Sequence, residues 1–256
     1  MRGYGQFCPI ALAAEVFAQR WTPIIIRNLH LGCSHFGDIL DGAPGLPRSV
    51  LSSRLRSLER DGVVERTTSG HATRYALTEM GADLAEICLA LGAWGARWRE
   101  VQPADQNPYL ALWTLSRLID PGSLPRSRVV VRFDLRTARP PHRFWLLLHG
   151  TGNEVCAEAP GFPDDGVVST DVGSLIRWST GQLALPTARE QGGMTVAAPP
   201  WLERELALWG RLNPFADVPP RRPQHAVPVG GQGAGDGGSR TPRALALPSP
   251  RRSPPG

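Results

Sequence analysis

Between residues 48 and 61 the apolar positions Val50, Leu51, Leu55 and Leu58 recur on one face of a helix, while Arg48, Ser52, Arg56 and Arg60 fall on the other. One side packs and the other meets solvent. Gly45-Leu46-Pro47 stops what precedes this helix, and Gly62 ends it. Ahead of it, Ile10 to Ala18, Pro23 to Leu31 and the short His35 to Leu40 read as helices, with Thr22 expected as the N-cap before Pro23. Val63 to Thr68 and Thr73 to Leu77 read as short strands around Ser69, Gly70, His71 and Ala72, a hairpin signal. The long helix Glu79 to Trp98 then carries Leu84, Cys88, Leu91, Gly95 and Trp98 at alternating spacings of four and three. Two readings of that stripe stay open, a face that closes its own domain and a dimer seam.

The polar stretch Gln102 to Pro108 breaks the helical pattern, and a mixed one follows. Tyr109 to Ile119 has an apolar stripe through Leu112, Leu115 and Ile119. Val129, Val131, Phe133 and Leu135 alternate with neighbours of the other face, as in a half-buried strand. Phe144 to Leu148 is apolar without alternation, which predicts a central strand covered on both faces. Glu154 to Ala157, Val167 to Thr170 and Met194 to Ala197 make shorter strands, and Val172 to Trp178 and Trp201 to Trp209 make helices. From Asp217 onward, 9 Pro and 7 Gly in 40 residues predict a disordered tail.

The expected fold class is therefore α+β. Residues 1–100 form a winged helix-turn-helix, 108–216 an α+β domain, and 217–256 the Pro/Gly/Arg-rich tail.

Charge sharpens this picture only once it is localised. The chain of 256 residues carries a net +5, yet 6 Arg against 2 acids fall in the tail alone. Global basicity is thus weak evidence for a nucleic-acid partner. The segment Leu46 to Arg74 is different, because it holds six Arg against Glu59, Asp61 and Glu65. A helix with Arg and Ser outward, followed by a hairpin flanked by Arg66, His71 and Arg74, suits the major groove of double-stranded DNA. Geometry assigns Arg48, Ser49, Ser52 and Ser53 to base or phosphate contact and Arg56, Arg66, His71 and Arg74 to phosphate. Arg54 and Arg60 stand apart, since Glu59 or Glu65 lies near enough in sequence to pair with either.

These residues also resemble the HxlR-type winged-helix transcriptional regulators of bacteria. The likeness spans Cys8 to Trp98 and rests on Cys8-Pro9, Arg20-Trp21 with Ile24-Ile25-Ile26-Arg27, and His35-Phe36-Gly37-Asp38-Ile39. It continues through Leu51-Ser52-Ser53-Arg54-Leu55, Leu58-Glu59, Asp61 to Arg66, Tyr75-Ala76-Leu77-Thr78, Gly81 and Trp94-Gly95. Arg20 departs from the family's usual Lys, in keeping with a chain that has no Lys at all. The resemblance implies a homodimer, joined through the first helix and the helix Glu79 to Trp98, that binds DNA, with repression as the family expectation. In parts of the family the Cys at the position of Cys8 senses oxidants or electrophiles, against which stands a small hydrophobe of the fold.

The second half resembles the sterol-carrier-protein-2-like fold through Asp171 leading a helix with Leu175 and Ile176, then Gly181 and Gly192-Gly193-Met194-Thr195-Val196. That likeness implies a lipophilic small-molecule effector, with Trp113, Phe144, Trp145, Trp178 and Trp201 as candidate pocket residues and plain core as the alternative. A carrier whose winged helix serves assembly is the rival function.

Four scattered cysteines without a CxxC pair argue against a disulfide scaffold or a zinc site, and His30, Cys33 and His35 lack a fourth ligand. No cofactor is expected. With no GxSxG, Walker or HExxH pattern, catalysis is not expected either. No stretch approaches the ~20 apolar residues of a membrane span, and no signal sequence is legible at the N-terminus, so the expected location is the cytoplasm.

Overall fold

The computed structural model describes residues 3–70, 72–136 and 140–221. In the first half, α1 (Pro9–Phe17), α2 (Thr22–His30), α3 (Phe36–Asp41) and α4 (Arg48–Arg60) lead into strands β1 (Val64–Ser69) and β2 (Ala72–Leu77), then α5 (Glu79–Trp98). The helix α2 starts one residue earlier than Pro23 predicts. Trp21, in a left-handed conformation at φ 76°, is its N-cap, so the expected cap Thr22 is instead a buried first-turn residue.

The termination of α4 follows from Gly62, whose φ of 75° a side chain rarely adopts. With that residue left-handed, Gly62 N–H reaches the Glu59 carbonyl and Val63 N–H reaches that of Leu58, satisfying the last turn. The reversal buries Val63 and Val64 and starts β1, which pairs antiparallel with β2 from Val64↔Leu77 to Ser69↔Ala72. The core under this hairpin is built from Ile25, Ile26, Leu29, Ile39, Leu51, Leu55 and Leu58.

In the second half, α6 (Pro108–Leu118) precedes β3 (Arg128–Leu135), β4 (Arg143–His149), β5 (Glu154–Cys156), β6 (Gly166–Thr170), α7 (Val172–Ser179), α8 (Leu185–Glu190), β7 (Met194–Ala197) and α9 (Pro200–Trp209). The five strands form one mixed sheet in the order β5-β4-β3-β6-β7, with β3 and β6 parallel and the other pairs antiparallel. Phe133, Phe144, Leu146 and Leu148 share a core with Leu112 and Leu115 of α6, Trp178 of α7 and Leu202 and Leu206 of α9.

The strand β4 is central and covered on both faces, with Phe144, Leu146 and Leu148 buried on one and Leu147 buried on the other. Phe144, Leu146 and Leu148 face the helices, but Trp145 sits on the opposite side, beside Arg132 in the register. That side is roofed by the connection between β5 and β6. Asp164 accepts from Trp145 Nε1 at 3.0 Å and from Arg132 Nη1 at 2.7 Å, and the Arg128 guanidinium lies 3.7 Å from the Phe162 ring centroid.

Gln102 to Pro108 separates α5 from α6 with a short 3-10 turn at Pro103–Asp105, yet the two halves pack on each other. Trp113 of α6 belongs to the first core, and a side chain at Gly92 of α5 would collide with the Phe215 ring. All described residues lie in one compact unit, Met1–Arg222. From residue 222 the expected tail lies outside the described residues. Among those residues no helix is long and apolar enough to cross a membrane.

Candidate nucleic-acid interface

Leu51, Leu55 and Leu58 turn α4 inward, which leaves Arg48, Ser49, Ser53, Arg56 and Arg60 exposed and Ser52 half-buried along the opposite face. At its start Leu46 is buried, and Pro47 is an extended N-cap that offers no side-chain acceptor. No acid lies in the first turn either. The first-turn N–H groups and the positive end of the helix therefore stay available to an anion such as a phosphate. Arg48 extends over the Phe36 ring, its guanidinium carbon 5.1 Å from the centroid.

Beside this face stands the hairpin. Arg66 is opposite Tyr75 in the register, and both line a surface depression of about 170 Å³ together with Ser52, Leu55, Arg56 and Glu59. Arg74 is opposite Thr67 and so occupies the other face of the ribbon, where its Nη1 lies 3.5 Å from Ser34 Oγ. The hairpin is fastened at that edge. Tyr75 N–H donates to the Ser34 carbonyl at 2.8 Å, and the His35 ring lies 3.3 Å from the Thr73 carbonyl. His71 lies outside the described residues.

The structure thus brings Ser52, Arg56 and Arg66 together, aligns Arg48, Ser49 and Ser53 with them along α4, and sets Arg74 apart. Arg54 does not pair with Glu59 or Glu65. It donates to the Gln19 side chain and, at 3.3 Å, to the Arg20 carbonyl, binding α4 to the turn before α2. Arg60 instead leans on Ser57 Oγ at 3.5 Å. In the sequence Phe36 and Tyr75 stand only as motif positions, because only the cross-strand register and the fold of α3 place them beside Arg48 and Arg66.

A second unforeseen feature holds α3. Arg27 donates to Asn28 Oδ1 at 3.0 and 2.8 Å and to the Gly42 carbonyl at 2.5 Å, while Asn28 Nδ2 donates to the Ile39 carbonyl at 2.8 Å. Burial pushes the Arg27 guanidinium below its ordinary pKa.

The five aromatic residues expected at a pocket are not one group. Trp178 is fully buried against Phe133 and Phe144 is buried against Tyr109, both in the second core. Trp113 is in the first core, Trp145 is on the far face of the sheet, and Trp201 lies under the Arg126 guanidinium at 5.2 Å. Alternation along β4 alone separates Phe144 from Trp145.

The apolar stripe of α5 divides, part of it closing its own domain and part staying exposed. Leu84 and Cys88 pack inward with buried Gly81 and Ala85, whereas Ile87, Leu91, Trp94 and Trp98 form the exposed apolar row of α5. On and before α1, Phe7 is 98% and Ile10 80% exposed. All four cysteines are free. Cys8 is half-buried at the N-cap of α1. Burial pushes the thiols of Cys33 and Cys88 up to about 11 and raises that of Cys156. Among the described residues no three His, Cys, Asp or Glu side chains come together as a metal site.

Residues 16–103 match the family model described as HxlR-like helix-turn-helix. YvaP of Bacillus subtilis, an HTH-type transcriptional regulator, is 33% identical over 97 residues, covering 36% of this chain and 90% of YvaP. The diamide-treated YodB of B. subtilis is 30% identical over 35% of this chain and 93% of its own, with a TM-score of 0.31. The solved structure of PA1607 is 31% identical over 36% of this chain and 65% of its own, with a TM-score of 0.33. The motifs of the first half, the helical order around α4 and the extent of the YvaP match converge, and through this N-terminal half the chain belongs to the HxlR-like helix-turn-helix family.

Proposed function

We propose that the protein is a sequence-specific, homodimeric transcriptional repressor whose second half senses a lipophilic effector. The helix α4 enters the major groove, with Arg48, Ser49, Ser52 and Ser53 toward base edges and the nearest phosphates. Arg56 and Arg66 hold phosphates on the flank, and Arg74 reaches the backbone from the far side of the hairpin. What carries this reading is the exposed face of α4, basic along its length and joined by Arg66 in one depression.

The exposed apolar row of α5 and the exposed residues of α1 support a dimer, because contiguous apolar surface of this kind is rare on a monomer. Two copies would present two α4 helices to two half-sites. The sterol-carrier-like resemblance supports an effector role for the second half.

A thiol switch at Cys8 is the second reading. It is favoured by the place of Cys8 at the N-cap of α1, and YodB, a relative 30% identical over 97 residues, has been solved after diamide treatment.

The test is the double charge reversal Arg56→Glu with Arg66→Glu, read by binding to a duplex from the upstream region of the gene. Loss of binding with an unchanged melting temperature supports the interface, and retained binding overturns it.

A further inference from the structure

The helix α6 belongs to both halves at once. Leu112, Leu115 and Ile119 lie in the core under the five-stranded sheet, while Trp113 points the other way and is 3% exposed in the core of the helix-turn-helix. Its partner there is Gly42, which caps α3 and lies six residues before α4. The backbone of Gly42 is ordinary, at φ −78° and ψ 3°, so conformation does not demand glycine. Space does. A Cβ at this position would collide with the six-membered edge of the Trp113 indole and stand 2.6 Å from Asn28 Nδ2.

The socket is a fixed one. Arg27 donates to the Gly42 carbonyl at 2.5 Å, and the buried Asn28 ties α2 to the Ile39 carbonyl of α3. The plug is less fixed. Trp113 Nε1 has no hydrogen-bond partner among the described residues, and the ring is held by packing and by the Arg117 guanidinium 5.3 Å from its centroid. Arg117 Nε is likewise unpartnered. At its C-terminal end α6 is clamped to the loop before β5, where Asn153 Nδ2 donates to the Ser116 and Ile119 carbonyls at 2.8 and 2.9 Å.

We infer that Trp113 seated against Gly42 is the mechanical link through which the state of the sheet domain sets the α3–α4 turn, and with it the DNA-binding helix. This rests on the proposed role of α4. A change in the sheet domain that shifts α6 along its axis moves Trp113, and because the ring fills the space a side chain at Gly42 would take, the turn has to repack with it. By the reciprocity of linked equilibria, DNA held by α4 must also steady α6.

Hydrogen exchange on the full chain tests the link without any effector. Trp113→Ala should speed exchange of residues 39–46 at least tenfold while β3 and β4 keep their protection. If Trp113→Ala loosens the sheet as well, Trp113→Phe decides, since it leaves a smaller ring in the socket. Faster exchange at 39–46 relative to the sheet supports the link. Equal loosening of both, or unchanged exchange at 39–46, overturns it. A duplex bound to the wild type should slow exchange across 112–118, and Trp113→Ala should abolish that slowing. If the wild type binds no duplex, the regulator reading fails, while the exchange of the free protein still decides the link.

Discussion

Arg56 on α4 and Arg66 on β1 line the same depression, although ten positions and a chain reversal separate them. Glu59 shares that depression, so its charge offsets part of the local positive field. In the proposed complex these two guanidinium groups, beside an exposed helix face, hold one phosphate between them. Replacing either with Ala should weaken specific and random duplexes alike and reduce the dependence of log affinity on log salt by about one. Titrations at four salt concentrations check this.

Arg48 should behave differently. If it reads a base bidentately, Arg48→Ala costs roughly 1 to 3 kcal/mol on the operator and little on random DNA. Phe36→Leu removes the ring under its guanidinium and should reproduce part of that loss. Equal losses on both duplexes would make Arg48 a phosphate contact.

Arg54→Ala should leave DNA affinity nearly unchanged. It removes the hydrogen bonds to Gln19 and Arg20, at a cost of about 1 kcal/mol of stability. Chemical denaturation beside a binding titration separates the two effects.

A charge placed in the exposed row of α5 tests the dimer. Trp94→Glu or Leu91→Glu should yield monomers by sedimentation and weaken operator binding, because one copy engages one half-site. A variant that remains dimeric would place the interface elsewhere.

The thiols give a pH dependence of stability. Burial holds Cys33 and Cys88 near 11, above the ordinary value of about 8.5, so the folded state retains protons that the unfolded chain releases. Their contribution is complete below about pH 8.5 and is lost as pH rises toward 11. Melting temperature should fall across that window, and less steeply for Cys33→Val.

Much of the first half was legible because its signals are local. Gly62 ends α4 by its own backbone preference, and the apolar spacing of Leu51, Leu55 and Leu58 fixes which face points outward. The stripe on α5 was legible as apolar but not as packed or exposed, since Leu84 and Leu91 satisfy the same spacing and only packing against α2 tells them apart. The helix α8 escaped notice because six residues with Pro186 near the start carry too little periodicity. The five candidate pocket aromatics are distributed by packing that sequence does not carry. Trp113 and Trp178 are equally apolar in sequence, but α6 carries Trp113 into the first core while α7 carries Trp178 into the second. Likewise, Arg54 resembles Arg56 in composition and differs only in having Gln19 within reach.

A footprint of the purified protein on DNA flanking its own gene, repeated across a salt series, decides whether α4 reads sequence. A dimeric, sequence-reading protein protects two half-sites about one helical turn apart, and the protection persists as salt rises while random DNA is released. Protection without sequence preference that vanishes steeply with salt would contradict that reading, and would reduce the basic face of α4 to a holder of phosphate.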